Sequence, residues 1–465
     1  MSKFRLISKD LGFYKNVFSY ALPIAGQSLI TTGVNMLDTM MVGKLGGDAL
    51  AATSQANSFI SIYQIFCMGL GMGASVLVSR YWGIKKLHDK QEEEASLALK
   101  QTVCLMLRLT LILATIFALI TKFFPGWVMR TYTNEEITIN FGIDYLKFSV
   151  LTFYFLGLSL VCTIVLRSVG EVHLPLLVSI GAFGINFLGN YTFIFGHFNM
   201  PKLGVAGAAL GTLIARIFEA FVICGYLLFK DKRIAFRIKD MLMSTSSLIK
   251  EYFRICIPVL ISDGILAFGN NSVTSVIGHL GSEFASANAI TSITQQLSSV
   301  VVQGVSQAGA IVTGQTLGLG KREKANEQGY WFLGLGLMLG ILSAVFIFAI
   351  KGLVIMSFDD VTNETRMIAN QIMIAICIIV IFQSTNSIMT KGVLRGGGDT
   401  FVLMFADNLF LWVMALPLGL LAGFIFKLSP FWIYICLKSD QIVKTFWCIL
   451  RVRSGKWIKK ISTSS

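Results

Sequence analysis

The sequence predicts an all-α polytopic membrane protein with twelve transmembrane helices, arranged as two parallel six-helix repeats around a central cleft. Three observations lead to this prediction: the composition, the length of the uncharged runs and an internal repeat. Of the 465 residues, 54% are hydrophobic and 14% are charged, whereas a soluble domain is about 25% charged. Because so little charge cannot cover a water-exposed surface, the composition excludes a soluble enzyme, a disordered protein and a disulfide scaffold.

Clusters of charged residues divide the chain into twelve apolar runs, most of which exceed the roughly 20 residues that a spanning helix needs. The last run is the weakest, because it contains Lys438, Asp440 and Lys444. The predicted spans are 17–41, 50–79, 101–121, 141–166, 174–196, 203–229, 255–278, 285–318, 329–350, 367–390, 401–425 and 429–447.

The basic residues predict the orientation of these spans. With the N-terminus inside, cytoplasmic segments hold 28 of the 39 lysines and arginines, and external segments hold eight. Basic residues are enriched on the cytoplasmic side of membrane proteins, so both termini are expected in the cytoplasm. The net charge of +14 is spread between the spans and therefore does not indicate a nucleic-acid partner. The cysteines and histidines are scattered, which predicts no permanent metal site.

An internal repeat relates the two halves of the chain. A shift of 235 residues superimposes Pro23 on Pro258, Gly43 on Gly278 and Gly69 on Gly304, and a shift of 228 superimposes Leu166-Arg167 on Leu394-Arg395. Since each half has six spans, both halves enter the membrane in the same direction, and a binding site is expected between them. The predicted domains are an N-terminal lobe (1–229), a cytoplasmic linker (230–254) and a C-terminal lobe (255–465).

Ionisable residues inside predicted spans are candidates for function, since each costs at least about 2.5–3.5 kcal/mol at the membrane centre. Asp38 is the only charged residue between Lys15 and Lys44. A carboxylate there could exchange a proton or a cation, or it could cap the end of the first span. Arg216 and Glu219 are three residues apart on one helical face and are expected to neutralise each other.

Asp263 and Asp407 lie on spans seven and eleven, with no cationic partner visible in the sequence nearby. They form a second candidate site, suited to proton transfer or to binding a cationic substrate. The alternative is that each carboxylate only accepts hydrogen bonds from neighbouring helices.

Amide side chains supply further candidates. Asn186 and Asn190 are four residues apart on span five and so share one face. Amide oxygens are suitable ligands for a hard cation such as Na⁺, although paired asparagines also link transmembrane helices. Spans two and eight are rich in Ser, Thr, Gln and Gly, which is typical either of close helix packing or of the wall of a water-filled cavity.

Three segments resemble the multidrug and toxic compound extrusion (MATE) transporters, and the resemblance, which includes the duplicated six-span halves, covers nearly the whole chain. They are the run from Pro23 through Asp38-Thr39-Met40-Met41-Val42-Gly43-Lys44-Leu45-Gly46, the run Leu203-Gly204-Val205-Ala206-Gly207-Ala208-Ala209, and the run Leu394-Arg395-Gly396-Gly397-Gly398-Asp399-Thr400.

This resemblance implies a monomeric antiporter of the inner (plasma) membrane that exports amphiphilic, often cationic, compounds in exchange for Na⁺ or H⁺. It implies that Asp38 couples ion and drug together with Asn186, Asn190 and Thr212. Asp263 and Asp407 match acidic positions of many members, and Pro23 and Pro258 are expected to bend their helices. No enzymatic activity and no cofactor other than the transported ion are expected; the partners are amphiphilic small molecules and membrane lipid.

The principal alternative is a lipid-linked oligosaccharide flippase of the same superfamily. Such a protein is expected to place more arginines and lysines in its cavity, where they would bind pyrophosphate. Here the charges predicted to face the cleft are three acids and one arginine that is paired with Glu219.

Overall fold

A computed structural model describes residues 6–87, 91–357 and 362–459, and these residues form helices without a strand. The predicted all-α fold is thereby confirmed. The α-helices are α1 (Leu11–Gly43), α2 (Gly47–Lys85), α3 (Glu92–Phe123), α4 (Pro125–Arg130), α5 (Glu136–Ser168), α6 (His173–Phe195), α7 (Val205–Gly225), α8 (Ser246–His279), α9 (Ser282–Gly318), α10 (Arg322–Met356), α11 (Asn363–Ser387), α12 (Thr400–Leu409), α13 (Leu416–Leu420), α14 (Pro430–Leu437) and α15 (Ser439–Arg453).

Short π-helical segments extend or join several of these helices. They cover Tyr226–Lys230, Ile388–Leu394, Phe410–Ala415 and Leu421–Ile425, and a 3₁₀ helix covers Ile238–Leu242. The π-helical turns are wider than α-helical turns and are frequent at functional sites. The last two π-helical segments lie on either side of α13. The eleventh pass is therefore one continuous helix in which α-helical and π-helical turns alternate.

Ten helical segments among the described residues are long and apolar enough to cross a membrane. They correspond to the second through eleventh predicted spans. The first predicted span lies within α1, which is 33 residues long and contains Pro23. The twelfth is divided into α14 and α15, with Lys438 between them. The predicted count of twelve helices is therefore roughly consistent with the structure, and the span expected to be weakest is the one that the structure interrupts.

The chain forms two compact units whose boundaries follow the two prolines. The first unit contains Met1–Ala25 and Ile261–Ser462, and the second contains Gly26–Leu260. Each boundary falls two residues beyond a proline inside a helix, Pro23 in α1 and Pro258 in α8. The opening part of each of these helices is thus assigned to a different unit from the rest of that helix. The predicted sequence domains, 1–229 and 255–465 with their linker, describe the repeat and stay a prediction.

The repeated glycines explain how these opening parts pack. In the second unit a Cβ on Gly69 of α2 would lie 3.0 Å from the Cα of Leu260 in α8. In the first unit a Cβ on Gly304 of α9 would lie 2.4 Å from the carbonyl oxygen of Ala21 in α1. Small residues let helix backbones approach closely in membranes. Positions 69 and 304, which the repeat superimposes, therefore carry the same packing role in the two units.

The C-terminal segment of the first unit is fixed by a buried tryptophan. Trp457 is fully buried, and its Nε1 donates to the Oδ1 of Asn326 over 3.3 Å. A Cβ on Gly397 would lie 2.3 Å from the indole ring. Arg451 donates to both carboxylate oxygens of Asp399, at 2.7 and 3.0 Å. The glycine run before Asp399 thus leaves room for the Trp457 ring.

Candidate functional site

In the second unit, the four residues predicted to bind the coupling ion lie together on α1, α6 and α7. Asn190 donates from Nδ2 to the Oδ1 of Asp38 and, over 3.4 Å, to the Oδ1 of Asn186. Asn186 in turn donates to the Oγ1 of Thr212, also over 3.4 Å. The i, i+4 spacing of the two asparagines aligns them on one face of α6, as the sequence indicated. The structure shows this arrangement, whereas their role in ion binding stays a prediction.

Asp38 is inside a helix and does not cap its end, because α1 continues past it to Gly43. Asp38 is half-buried, whereas Asn190 is 0% and Asn186 is 3% exposed. The basic group on the same cavity wall is Arg216, whose Nη1 lies 2.7 Å from the Oε2 of Glu219. The predicted pairing of Arg216 with Glu219 is present. Asp38 therefore shares the wall with a guanidinium that already has a carboxylate partner.

A buried acceptor in this cluster has no donor within the described part of the chain. It is the Oδ1 of Asn190. A buried polar atom without a partner costs roughly 1–3 kcal/mol, and such atoms call for a water or an ion to contact them. The four residues offer one carboxylate, two amide oxygens and one hydroxyl. Oxygen donors of this kind suit hard cations, so the residues fit the cation that the sequence predicts.

Glycines on α6 and α7 position Asn190. A Cβ on Gly211 of α7 would lie 2.4 Å from the Oδ1 and 2.9 Å from the backbone nitrogen of Asn190. A Cβ on Gly189 of α6 would lie 2.9 Å from the Cα of Gly211. Gly207 and Gly211 are four residues apart, which is the spacing of close-packed transmembrane helices. These glycines were not predicted to be part of the site, although their spacing is visible in the sequence.

A cavity of about 600 Å³ surrounds Asp38 within the second unit. The polar residues of α2 line it, including Asn57, which accepts a hydrogen bond of 3.1 Å from the hydroxyl of Tyr145 on α5. The cavity interpretation of span two therefore agrees with the structure. Polar or aromatic wall residues that the sequence analysis did not single out are Asn35, Ser54, Ser58, Ser61, Gln64, Tyr145, Ser149, Thr152, Ser179 and Phe183.

The first unit brings Asp263 and Asp407 each to a basic side chain. Asp263 on α8 accepts from Nη2 of Arg395 over 2.9 Å and from Nη1 over 3.3 Å. Asp407 on α12 lies 3.5 Å from the Nζ of Lys444. The expectation that these aspartates lack a cationic partner is wrong. Their partners are 132 and 37 residues away in the chain, too far for a local reading of the sequence.

Lys444 is shared between two aspartates. Its Nζ lies 3.2 Å from the Oδ2 of Asp440, one turn earlier on α15. The lysine is 2%, Asp440 2% and Asp407 7% exposed. Gln441 donates to Asp440 over 2.6 Å and accepts from Asn386 over 2.8 Å. Two carboxylates and one ammonium group thus form a buried ionic cluster on α12 and α15.

The polar residues of span eight contribute to a separate hydrogen-bonded group. Gln295 on α9 donates to Gln383 on α11 over 2.7 Å and accepts from the Tyr434 hydroxyl over 3.2 Å. These contacts join α9, α11 and α14 within the first unit. For Gln295, the helix-packing interpretation of span eight therefore applies.

A helical fold with many membrane passes and a polar, acidic cavity defines the class of small-molecule membrane transporters. The MatE family model matches residues 23–192 and 258–421, and the chain belongs to this family. The two matched stretches begin at Pro23 and Pro258, the residues that the internal repeat superimposes. The resemblance inferred from the sequence is confirmed, and so is the prediction that the chain is a transporter and not an enzyme.

Individual proteins agree with this assignment. The "Probable multidrug resistance protein NorM" of Thermotoga maritima is 25% identical over 450 residues, which cover 96% of this chain and 93% of that protein. The "Multidrug resistance protein NorM" of Burkholderia vietnamiensis is 26% identical and covers 86% of this chain and 85% of its own. An outward-facing multidrug resistance MATE transporter of the MOP superfamily superimposes with a TM-score of 0.84 at 18% identity, over 97% of this chain and 99% of that one. At this identity, the likeness supports the fold alone.

Proposed function

We propose that this protein is a cation-coupled antiporter that exports amphiphilic, often cationic, compounds by alternating access. The observation that carries the proposal is Asp38, a half-buried carboxylate on the wall of a polar cavity, beside an arginine that is paired with another acid. Acidic groups at membrane depth commonly mark ion or substrate pathways. Family membership and the names of the curated relatives support drug efflux over the flippase alternative.

The coupling ion, Na⁺ or H⁺, is proposed to bind at Asp38, with Asn186, Asn190 and Thr212 as neighbouring oxygen donors. A proton would need only the Asp38 carboxylate, whereas Na⁺ would use the amide and hydroxyl oxygens as well. Turning the Asn190 amide would direct its unpartnered Oδ1 toward such an ion. Both ion and cationic substrate would then compete for one negative charge, which is the basis of exchange.

Pro23 and Pro258 are proposed to act as bending points. Proline removes one backbone hydrogen bond from a helix interior and favours a kink there. Both prolines lie inside long helices, two residues before the point at which the chain passes from one unit to the other. Bending at Pro23 would change the surroundings of Asp38 further along α1.

A second site at Asp263 and Asp407 is proposed for the first unit, with a different role for each aspartate. Arginine stays protonated in proteins, so the bidentate Arg395 pair holds Asp263 ionised. The cluster of Asp407 with Lys444 and Asp440 places two carboxylates against one ammonium group, so it is the part proposed to take up a proton or a cation. The transported ion is the only non-protein group that this scheme requires.

We further propose that the protein is a monomer in the plasma membrane, with lipid around it and both termini in the cytoplasm. The support is the distribution of basic residues, 28 on one side against eight on the other.

The proposal is tested by Asp38→Asn, which keeps the side-chain volume and removes the exchangeable charge. Ethidium efflux from proteoliposomes would be driven separately by a Na⁺ gradient and by a pH gradient. We expect the variant to lose gradient-driven efflux, whereas Asp48→Asn, at an exposed position outside the cavity, should transport normally. If folded Asp38→Asn protein transports at the wild-type rate with either gradient, Asp38 is not the coupling residue.

A further inference from the structure

Most of the serine and threonine hydroxyls on the wall of the Asp38 cavity share one feature: they donate their protons to the helix backbone and not to the cavity. Thr31 on α1 donates to the carbonyl oxygen of Gln27 over 3.0 Å, and Ser58 on α2 donates to that of Ser54, also over 3.0 Å. Seven wall residues donate to a carbonyl of their own helix in this way: Thr31, Thr39, Thr53, Ser58, Ser61, Ser149 and Thr152.

A hydroxyl that donates its proton to the helix can act only as an acceptor toward the cavity. Serine and threonine have one donor and two lone pairs, and bonding back to the preceding turn uses the donor. The Tyr145 hydroxyl is committed as well, since it donates to the Oδ1 of Asn57. These eight hydroxyl oxygens therefore act only as acceptors toward the cavity.

The donors on the wall are fewer, and several are already used. The Nδ2 of Asn186 donates to Thr212. Arg216 directs one nitrogen to Glu219, and its remaining N–H groups together with the amides of Asn35, Asn57 and Gln64 supply the other donors. The wall also carries one net negative charge, because it contains two carboxylates and one guanidinium group. This charge attracts cations, and the hydroxyl acceptors attract N–H donors.

We propose that this cavity selects cationic groups that carry several N–H donors, namely primary ammonium, amidinium and guanidinium groups, over quaternary cations of the same charge. A quaternary ammonium has no proton to give, so it can satisfy the charge of Asp38 but none of the hydroxyl acceptors. A donor-bearing cation satisfies both. This inference names the substrate class of the proposed antiporter and rests on that proposed function.

The dimensions of the cavity agree with this class. A volume of about 600 Å³ lies within the roughly 300–1,000 Å³ of small-molecule sites. Most such sites are lined mainly by apolar and aromatic side chains, whereas here Phe183 and Tyr145 are the aromatic wall residues. The wall also contains aliphatic residues such as Ile30, Val34 and Leu156, so the cavity has room for the polar head of an amphiphile and for part of its apolar body.

The experiment compares two fluorescent probes that differ only at the cation. They are dansylcadaverine, which ends in a primary ammonium, and its N,N,N-trimethyl analogue. Fluorescence anisotropy would measure the binding of each probe to the purified full-length protein, without any ion gradient. Because hydrogen bonds that involve a charged group are worth about 1.5–3 kcal/mol each, we expect the trimethyl probe to bind at least about tenfold more weakly. Equal affinities of the two probes would overturn the inference.

Variants then test whether the hydroxyl acceptors cause the preference. Thr31→Val combined with Ser58→Ala and Ser61→Ala should reduce the affinity for dansylcadaverine toward that of the trimethyl probe, whose own affinity should hardly change. Thr32→Val is the matched control, because Thr32 donates to the carbonyl of Ser28 over 3.1 Å but lies outside the cavity wall. A triple variant that keeps the full preference would overturn the role of these acceptors; Thr31→Val alone repeats the test if the triple variant is not monodisperse.

Asp38→Asn separates this inference from the proposed function. If the wild-type protein distinguishes the probes and Asp38→Asn weakens both, the two proposals stand together. If Asp38→Asn weakens both probes but the wild-type protein does not distinguish them, Asp38 stays the cation site and the selection of N–H donors is refuted. If Asp38→Asn changes neither affinity, the proposed coupling site fails while the probe preference still reports on the hydroxyl acceptors.

Discussion

Replacing Gly211 by alanine tests whether the close approach of α6 and α7 positions the ion site. The added methyl would lie 2.4 Å from the Oδ1 of Asn190, 2.9 Å from its backbone nitrogen and 3.0 Å from the carbonyl carbon of Gly189. Non-bonded atoms prefer separations of roughly 3.5–4.0 Å, so the methyl and α6 must move apart by about 1 Å. Two of the three contacts are to backbone, so a rotation of the Asn190 side chain alone cannot relieve them. The shift would carry Asn190 away from Asp38.

The expected cost follows from two opposing terms. Overpacking costs about 1–3 kcal/mol, whereas glycine to alanine within a helix gains up to about 1 kcal/mol. Gly184→Ala on α6 isolates the second term, since nothing lies within 4 Å of its added methyl. The difference between the two variants should therefore be about 1–3 kcal/mol, or a fall in melting temperature of roughly 2–12 °C for a unit of this size.

The measurement is thermal unfolding in detergent, together with the affinity for dansylcadaverine. We expect Gly211→Ala to melt at a lower temperature and to bind the probe more weakly than Gly184→Ala. If the two variants melt together and bind alike, the helices do not constrain Asn190 as the distances indicate, and the explanation of the site geometry is refuted.

Three further predictions concern the first unit and the orientation. Lys444→Gln should destabilise the protein by about 3–5 kcal/mol, because it leaves buried carboxylates without their cation; Lys444→Arg should cost less, and equal melting temperatures would contradict the ion cluster. Trp457→Ala should cost about 3–5 kcal/mol, as is usual for a buried aromatic, whereas Trp432→Ala at a side chain 54% exposed should change little; similar losses would argue against the buried position of Trp457. Cysteine introduced at Ile238 should be protected from a membrane-impermeant thiol reagent in intact cells and cysteine at Asn363 should react, and the reverse pattern would invert the topology.

The fold could be predicted from the sequence because membrane passes obey local rules. Length and hydropathy decide whether a helix can span, and they identified ten passes that the structure also shows. The pairing of Asn186 with Asn190 was predictable for the same reason, since a four-residue spacing places both on one face of any α-helix. The ion pair of Arg216 with Glu219 followed from a three-residue spacing in the same way.

Contacts between distant parts of the chain could not be predicted by local rules. Asp263 and Arg395 are separated by 132 residues, so only the folded first unit shows that the carboxylate is neutralised. The glycines that position Asn190 were visible as a pattern, but their neighbours on α6 depend on how two helices pack. The sequence therefore indicates which charged residues lie inside membrane spans and are costly to bury. The three-dimensional structure shows which of them have a partner of opposite charge.

Residues at corresponding positions of the repeat show that the acidic residues of the two units have different partners. Arg167 and Arg395 occupy corresponding positions at the ends of spans four and ten. In the second unit Arg167 donates to the neutral amide of Gln27, just beyond Pro23. In the first unit Arg395 donates to Asp263, just beyond Pro258. The arginine at this repeated position thus donates to an amide oxygen in one half and to a carboxylate in the other.

The later spans show the same divergence. The shift of 228 residues that aligns these arginines also places Thr212 on Asp440 and Arg216 on Lys444. The positions that supply a hydroxyl and an acid-paired guanidinium to the Asp38 cavity therefore supply a buried ionic cluster to the first unit. A carboxylate held by an amide can exchange its counter-ion, whereas a carboxylate held by a built-in ammonium must first displace that group. We therefore expect an incoming cation to bind at Asp38, where no built-in ammonium group has to be displaced.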